Sequence, residues 1–181
     1  MTASLGNAKS NPKESYMSPA KPSETDLEFV RQAIEVSRRA RERGDHPFGA
    51  LFVDADGQVL VEGLNSVRTT GDLIGHAETN LARDIGMRLD PEVVAGGTLY
   101  SSCEPCAMCA GAMYWAGVTR LVYGMNEADL MPFDEGDHGE NATMTGVGCR
   151  AVLASGQRDI EVIGPTLVDE AVAAHVGYWD S

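Results

Sequence analysis

Three cysteines at regular spacing are the residues in this sequence that most clearly could do chemistry. The stretch SSCEPCAMCAGAMYW (101–115) places Cys103, Cys106 and Cys109 three residues apart, in a chain that has only one other cysteine. Thiols that lie this close together bind a metal or an iron–sulfur cluster, or form a redox pair. The spacing therefore raises four hypotheses: an iron–sulfur cluster, a thiol–disulfide couple, a structural zinc and a catalytic zinc.

The first two hypotheses fit the spacing poorly. A cluster of the bacterial ferredoxin type needs a fourth cysteine four residues after the third and then a proline, whereas this chain has Met113 and Tyr114 there. A thioredoxin-like couple is a single Cys-x-x-Cys pair that follows an early strand. The third cysteine and the late position of this group disfavour such a couple, so zinc is the better interpretation.

Two of the three thiols are placed as zinc ligands. Pro105 suits the first turn of a helix, where its missing N–H would have been unpaired anyway. Cys106 and Cys109 then lie on one face of that helix, near a positive end that favours thiolates. Cys103 precedes the helix and is expected to point elsewhere, so a third ligand must come from another segment.

His76 is the candidate for the third ligand, because Glu78 follows it at the start of another predicted helix, GHAETNLARDIGMRL. His-x-Glu followed by Pro-Cys-x-x-Cys is the signature of zinc nucleobase deaminases. Two thiolates and an imidazole leave the fourth zinc position for water, and two negative ligands cancel the charge of the metal, so that a nearby base is needed. Glu78 can supply it, taking a proton from water and passing it to the substrate. Residues two positions apart on a regular helix face nearly opposite ways. His76 and Glu78 can therefore converge only if both lie in the first turn of the helix, which Gly75 just before them permits.

A structural zinc in a non-catalytic scaffold or RNA-binding module is the alternative from another class. That hypothesis needs a fourth protein ligand to close the site. Cys103 and Cys149 are the thiols that could provide it.

The predicted elements alternate between helices and strands. A helix is expected from a Ser23 cap to Gly44, and strands at 48–54 and 58–64 are joined at DADG. The histidine helix, the strand GGTLYSS, the cysteine helix ending at Gly117 and the strand VTRLVYGM follow. An irregular loop is expected over 126–148, and then a short helix CRAVLASGQ, a strand IEVIGPTL and a terminal helix or tail. This order predicts a three-layer α/β/α domain with a mixed sheet whose first two strands are antiparallel.

Composition limits the function classes. The chain has 181 residues and a net charge of −13, with 14 Lys and Arg against 27 Asp and Glu, which disfavours a nucleic-acid partner. Residues 1–23 are predicted to be a flexible lead, and residues 24–181 one domain. The lead lacks the apolar core of a secretory signal, and no apolar run reaches the length of a membrane span. A cytoplasmic location is expected.

With these residues in place, the chain resembles the cytidine deaminase-like superfamily, and within it guanine deaminases and tRNA adenosine deaminases. The matching segments, from Leu27 to Val122, include PFGALFVDADG, EGLN, GHAET and SCEPCAMCAGAMYWA. The resemblance implies a five-stranded α/β/α sandwich and a homodimer. It also implies roles for five site residues, namely zinc ligation by His76, Cys106 and Cys109, proton transfer by Glu78 and a hydrogen bond from Asn65 to the base. Ala77 and Cys106 match positions whose backbone approaches the substrate.

The substrate is predicted to be a free nucleobase, most favourably guanine, which gives xanthine and ammonia. PFGA, SCEPC and the aromatic YWA favour the guanine deaminases over the tRNA enzymes, and so does the acidic charge. In that branch, an acidic residue after the fourth strand and an aromatic carboxyl-terminal segment help to close the pocket, and Asp129, Tyr178 and Trp179 match those roles. Phe48 is either a pocket wall or core. Cytosine, a nucleoside, another amino-heterocycle such as a triazine or pterin, and tRNA adenosine remain alternatives.

Overall fold

The computed structural model describes residues 21–133 and 146–179. Most of the predicted lead, 1–20, and part of the predicted loop, 134–145, lie outside the described residues. The first helix starts where the sequence predicts, because Ser23 Oγ accepts the N–H of Asp26 at 3.1 Å while the Asp26 carboxylate accepts the N–H of Ser23 at 2.9 Å. This reciprocal cap satisfies two donors that the first turn of a helix leaves without partners.

The strands form one five-stranded mixed sheet in the order β2-β1-β3-β4-β5. β1 is antiparallel to β2 and β3, whereas β4 is parallel to β3 and β5. The prediction of a mixed sheet with an antiparallel first pair is confirmed. The strands are β1 (Gly49–Val53), β2 (Val59–Leu64), β3 (Thr98–Cys103), β4 (Arg120–Met125) and β5 (Glu161–Ile163).

Helices cover both faces of the sheet. The helices of the described residues are α1 (Glu24–Glu42), α2 (Val67–Thr70), α3 (Ala77–Arg88), α4 (Pro91–Gly96), α5 (Ala107–Ala116), α6 (Cys149–Ala154) and α7 (Val168–Val172). Apolar residues of α1 and α7 pack with one face of the sheet, and those of α3, α5 and α6 pack with the other. The three-layer α/β/α architecture is therefore confirmed. No helix in the described part of the chain combines the length and the apolar character that crossing a bilayer requires.

Four local features differ from the sequence prediction. The turn α2 and the helix α4 were not predicted, although Pro91 after Asp90 is a common helix start. The segment Glu127–Phe133 forms a 3-10 helix inside the expected loop. The last helix ends at Val172, and turns continue to residue 179. Pro105 lies before α5 and not in its first turn, because Cys106 has the extended backbone of an N-cap residue.

Candidate active site

The predicted ligands meet at the N-terminal ends of two packed helices. His76 is the N-cap residue of α3, Cys106 is the N-cap residue of α5, and Cys109 lies in the first turn of α5. His76 Nδ1 is 3.7 Å from Cys106 Sγ and 3.6 Å from Cys109 Sγ. The structure therefore brings the three ligand atoms together across about 30 residues of sequence.

The donor set fits a zinc ion. Zinc bonds of about 2.3 Å to sulfur and about 2.0 Å to nitrogen place tetrahedral N and S ligands about 3.6 Å apart, which is the spacing seen here. The three ligand atoms lie within 4.8 Å of one another, and no other group of three or more His, Cys, Asp or Glu ligand atoms occurs within the described ranges. His76, Cys106 and Cys109 could therefore hold a metal with a fourth position left over.

The remaining thiols lie elsewhere. Cys103 is buried in the apolar cluster on the α1 side of the sheet, as expected for a residue that points away from the ligands. Cys149 is buried on the opposite side, and its N–H donates to Glu104 Oε1 at 3.0 Å. Within the described residues, neither thiol joins the ligand group. The fourth ligand that a structural zinc needs is not supplied by these two cysteines.

The electrostatics of the thiol pair also favour a cation. The hydrogen bond from Cys109 lowers the pKa of Cys106 to about 4. The same contact, together with burial, raises the pKa of Cys109. The pair alone therefore carries one negative charge and keeps one proton, and a divalent cation between the sulfurs would favour the second thiolate. Thr79 Oγ1, 3.3 Å from Cys109 Sγ, can donate a hydrogen bond to it.

Close backbone packing fixes the position of α3. A Cβ atom on Gly63 in β2 would collide with the carbonyl oxygen of Ala77 and would lie 2.8 Å from Leu81 Cβ, so only glycine allows this approach. The Asn80 amide donates to the carbonyl of Leu64 at 2.9 Å. The start of α3 is thereby held against the end of β2. Ala77, the first residue of that helix, is fully buried.

Glu78 is directed into the interior beside the ligands. It is 5% exposed, and Ser101 Oγ in β3 donates to its Oε1 at 2.7 Å. Burial raises the pKa of Glu78, and the hydrogen bond from Ser101 opposes that rise. The charge of Glu78 acts on His76, whose pKa is raised by its hydrogen bond to Cys106 and by the charges of Glu78 and Glu127. A buried carboxyl with a raised pKa suits proton transfer.

Asn65 is buried at the end of β2. Its side-chain Oδ1 accepts the N–H of Val67 at 3.1 Å, and its own N–H donates to the carbonyl of Phe48 at 3.2 Å. The neighbouring residue Ser66 donates its N–H to Gly75, immediately before His76. Asn65 therefore fixes a turn next to the ligand group, and its contact with a base stays a prediction.

The carboxyl-terminal segment packs on its own chain. The Trp179 ring lies 5.5 Å from the His46 ring and 6.4 Å from the Phe48 ring, centroid to centroid. The Tyr178 ring meets His46 edge-on at 6.0 Å, and its hydroxyl lies 3.4 Å from Arg68 Nη1. Phe48 packs against the buried clusters on both faces of the sheet, which makes it part of the core as well as a neighbour of this segment.

Two acidic residues follow β4. Asp129 Oδ2 accepts the N–H of Asn126 at 2.8 Å and its amide at 3.1 Å, so its carboxylate caps the turn after the strand. Glu127 is buried, and its charge reaches His76. The role of Asp129 toward a substrate stays a prediction, and Glu127 is a nearby acid that the sequence did not single out.

Besides Glu127, sequence patterns did not single out Ser101, His46 and His175. Ser101 is a polar residue in a strand whose neighbours are buried, and this signal could have indicated a hydrogen-bonding role. Burial lowers the pKa of His46, and the positive charge of Arg68 lowers it further. His46 and His175 have no motif around them, and only their tertiary contacts reveal them.

Comparisons with known proteins extend this description. A probable cytosine deaminase of Schizosaccharomyces pombe is 40% identical over 168 residues, which are 91% of this chain and 98% of that protein. The guanine deaminase of Bacillus subtilis is 36% identical over 102 residues, which are 56% of this chain and 65% of that protein. A solved structure of a variant of the protein NE0047 with 8-azaguanine bound has a TM-score of 0.68 and 26% identity, and it covers 85% of this chain and 84% of its own.

The family model for the cytidine and deoxycytidylate deaminase zinc-binding region matches residues 23–125. That range is more than half of the chain and contains His76, Glu78, Cys106 and Cys109. The match therefore includes the three residues whose ligand atoms are spaced for zinc and the buried carboxyl beside them. The chain belongs to the cytidine and deoxycytidylate deaminase zinc-binding family, whose members are hydrolytic deaminases.

Proposed function

We propose that this protein catalyses the zinc-dependent hydrolytic deamination of a free nucleobase, with guanine as the first candidate. The observation that carries the proposal is the convergence of His76, Cys106 and Cys109 beside the buried Glu78. The reaction takes guanine and water to xanthine and ammonia.

The ligand residues and Glu78 have separate roles in the proposed reaction. His76, Cys106 and Cys109 would hold a zinc ion, which when bound supplies Lewis-acid activation of the attacking water. Glu78 would take the proton from that water, give it to a ring nitrogen of the base and then protonate the departing amine. Ser101 occupies Glu78 Oε1, which leaves Oε2 for the proton.

Two lines of support bear on the substrate. Guanine is favoured by PFGA and SCEPC in the sequence and by the likeness to a structure with 8-azaguanine bound, which extends over 85% of this chain. Cytosine is the second candidate, because the probable cytosine deaminase of Schizosaccharomyces pombe matches nearly end to end. A tRNA substrate is disfavoured by the net charge of −13, since a folded RNA requires a basic surface.

The base would be held by residues around the ligand group. The carbonyl of Phe48 accepts the N–H of Asn65, the Phe48 ring contacts the Trp179 ring, and Ala77 is the first residue of α3. We propose these three for base binding. The further candidates for closing the pocket are Asp129, Tyr178 and Trp179.

A substrate panel tests the proposal directly. Zinc-loaded protein is incubated with guanine, cytosine, adenine, their nucleosides, a triazine and a pterin, and ammonia release is measured for each. The expected result is turnover of guanine at a kcat/KM at least tenfold above the others. A higher kcat/KM with cytosine would make cytosine the proposed substrate in place of guanine. No turnover of any base would overturn the proposed function.

The Glu78→Gln variant tests the proposed mechanism. Turnover should fall by about 10³-fold or more, because an amide cannot accept the proton, while the zinc content measured by metal analysis stays at one per chain. Glu62→Gln is the matched control on exposed β2 surface and should keep full activity. A Glu78→Gln variant with more than a tenth of the parent activity would contradict the role proposed for Glu78.

We also propose a cytoplasmic homodimer built from one domain, residues 24–181. Support for the dimer comes from two apolar side chains, Met87 on α3 and Trp115 on α5, which are 78% and 85% exposed. A Cβ on Gly86 would lie 4.0 Å from Ala116 Cβ, so α3 and α5 are in contact at these two positions. Met87 directly follows Gly86, and Trp115 directly precedes Ala116. Sedimentation equilibrium of the full chain should give twice the monomer mass of 19.3 kDa.

A further inference from the structure

A buried histidine in the carboxyl-terminal segment has no role in the proposed chemistry. His175 is 1% exposed and lies in the turn that follows α7. Its Nδ1 accepts a hydrogen bond from the indole Nε1–H of Trp179 at 3.3 Å. The two rings are nearly parallel, with an interplanar angle of 8° and a centroid distance of 6.0 Å. His175 therefore constrains both the direction and the plane of the Trp179 ring.

This contact requires a neutral imidazole, because Nδ1 can accept a hydrogen bond only without a proton. Burial lowers the pKa of His175 to about 3, and the positive charge of Arg41 acts in the same direction. The acceptor is therefore available at neutral pH. A buried histidine that stays neutral is suited to holding another side chain in place.

The surroundings of His175 leave it little freedom. The Phe48 ring meets it edge-on at 5.1 Å, and the Phe133 ring lies 6.3 Å away. Arg41 in α1 donates from Nη1 to the carbonyls of Ala174 and Val176, at 2.9 Å each. Because both backbone neighbours are tied to α1, the position of His175 is set by the body of the fold.

Trp179 is linked through one ring to the turn beside the ligand group. Its ring is 5.5 Å from the His46 ring. It is also 6.4 Å from the Phe48 ring, and the carbonyl of Phe48 accepts the N–H of Asn65. An indole held at this place would present a flat, rigid wall to a planar base.

We propose that His175 is a positioning residue, which holds the Trp179 indole as a pre-formed wall of the base pocket. This inference rests on the proposed function, because the wall affects activity only if a nucleobase binds beside it. The expected consequence is that loss of the His175 acceptor weakens base binding more than it slows the chemical step.

The hydrogen bond is tested by the exchange rate of the indole Nε1–H, measured by ¹H–¹⁵N NMR on the zinc-loaded full chain. Trp115→Phe is the background, since Trp115 is 85% exposed and its removal leaves Trp179 as the one tryptophan. His175→Phe keeps a ring of similar shape without the acceptor, and exchange should accelerate about tenfold or more. His175→Gln restores an acceptor and should slow exchange again. Val176→Ala changes a 60% exposed neighbour and should have no effect.

Kinetics with the preferred base test the positioning role. A hydrogen bond of typical net strength predicts a KM about fivefold higher in His175→Phe, with kcat within twofold of the parent and partial recovery in His175→Gln. Trp179→Phe removes the donor and should raise KM by a similar factor. Because both changes break one contact, the double variant should be no worse than either single variant.

Three results would overturn this proposal: an unchanged indole exchange rate in His175→Phe, an unchanged KM in a folded variant, or additive effects in the double variant. Thermal melting confirms that each variant folds. If His175→Phe does not fold, Trp179→Phe tests the same contact with His175 in place. A parent protein that turns over no base overturns the proposed function, whereas the exchange measurement decides the His175–Trp179 contact by itself.

Discussion

The metal end and the aromatic cover proposed for the base pocket are built in different ways. The metal end places three ligand atoms at the first residues of α3 and α5, so backbone geometry and helix packing hold them. The aromatic cover consists of His46, Phe48, His175 and Trp179, which are joined by ring contacts of 5.1–6.4 Å. Short backbone segments determine the first region, whereas side chains more than 120 residues apart determine the second.

This difference predicts that the two regions respond differently to the substitution of one residue. A metal site with three protein ligands loses most of its affinity when one ligand is removed, so its response should be close to all-or-none. A cover made of several packed rings shares its contacts among many atoms, so its response should be graded. Four substitutions, ordered by the size of the expected effect, test this comparison.

Cys109→Ala should have the largest effect. With two ligands left, the protein should lose its zinc, and kcat/KM should fall by about 10³-fold or more, because the activation of water depends on the bound metal. Metal analysis after dialysis and ammonia release measure the two quantities. Cys149→Ala is the matched control, since that buried thiol lies outside the ligand group, and its zinc content should be unchanged. Retained zinc in Cys109→Ala would contradict the all-or-none character of this end.

Ser101→Ala should have the next largest effect, about tenfold on kcat. The hydrogen bond from Ser101 opposes the rise of the Glu78 pKa, so its removal raises that pKa further. A base that must be ionised then becomes active only at higher pH. The acidic limb of the kcat/KM profile should accordingly move to higher pH.

The control for this pH measurement is Ser102→Ala. The Ser102 hydroxyl accepts the N–H of Gly49 at 3.1 Å and points to the opposite face of β3 from Ser101, so the acidic limb should stay in place. A profile that moves equally in both variants would assign the shift to the strand and not to the hydrogen bond at Glu78.

Trp179→Ala tests the graded response of the cover. Loss of the ring should raise KM for the base about tenfold through lost stacking, with a smaller change in kcat and with full zinc content. Steady-state kinetics and metal analysis separate these quantities. Val176→Ala, at a 60% exposed side chain in the same turn, should leave KM unchanged. If KM is the same in both variants, the cover does not form a wall of the pocket.

Asp26→Asn should have the smallest effect on activity, because Asp26 lies outside both regions. Its carboxylate receives hydrogen bonds from Arg120 at 2.7 and 3.0 Å and from the Tyr100 hydroxyl at 2.9 Å. Burial opposes ionisation, but the Arg120 guanidinium and the Ser23 N–H outweigh it and hold the pKa of Asp26 well below its usual range. The variant should lose about 2 kcal/mol of unfolding free energy at pH 7 with kcat/KM unchanged.

The sign of the pH dependence follows from that lowered pKa. The carboxylate stabilises the fold at pH values above the ordinary aspartate pKa, and this contribution is lost as the pH falls further toward the folded-state pKa. Urea unfolding of the parent and Asp26→Asn should therefore differ most near pH 7 and converge below about pH 4. A difference that is constant with pH would show that packing, and not charge, accounts for the loss.

Much of the fold could be predicted from sequence because its signals are local. The element boundaries predicted from the cap at Ser23, the stop at Gly117 and the alternating strands are close to those observed. The order of the elements predicted the three layers. The short helix α4 and the 3-10 helix after β4 were missed, because a few residues between two stronger signals carry little periodicity.

The chemistry proposed for the metal end could be predicted from local sequence signals. His76, Glu78, Cys106 and Cys109 lie in two short motifs at helix starts, and local backbone rules carry each motif to the same edge of the fold. The hydrogen bonds from Ser101 to Glu78 and from Trp179 to His175 became visible only in the folded chain. These contacts depend on which side chains meet when separate strands and turns pack together, and no spacing along the chain encodes that meeting.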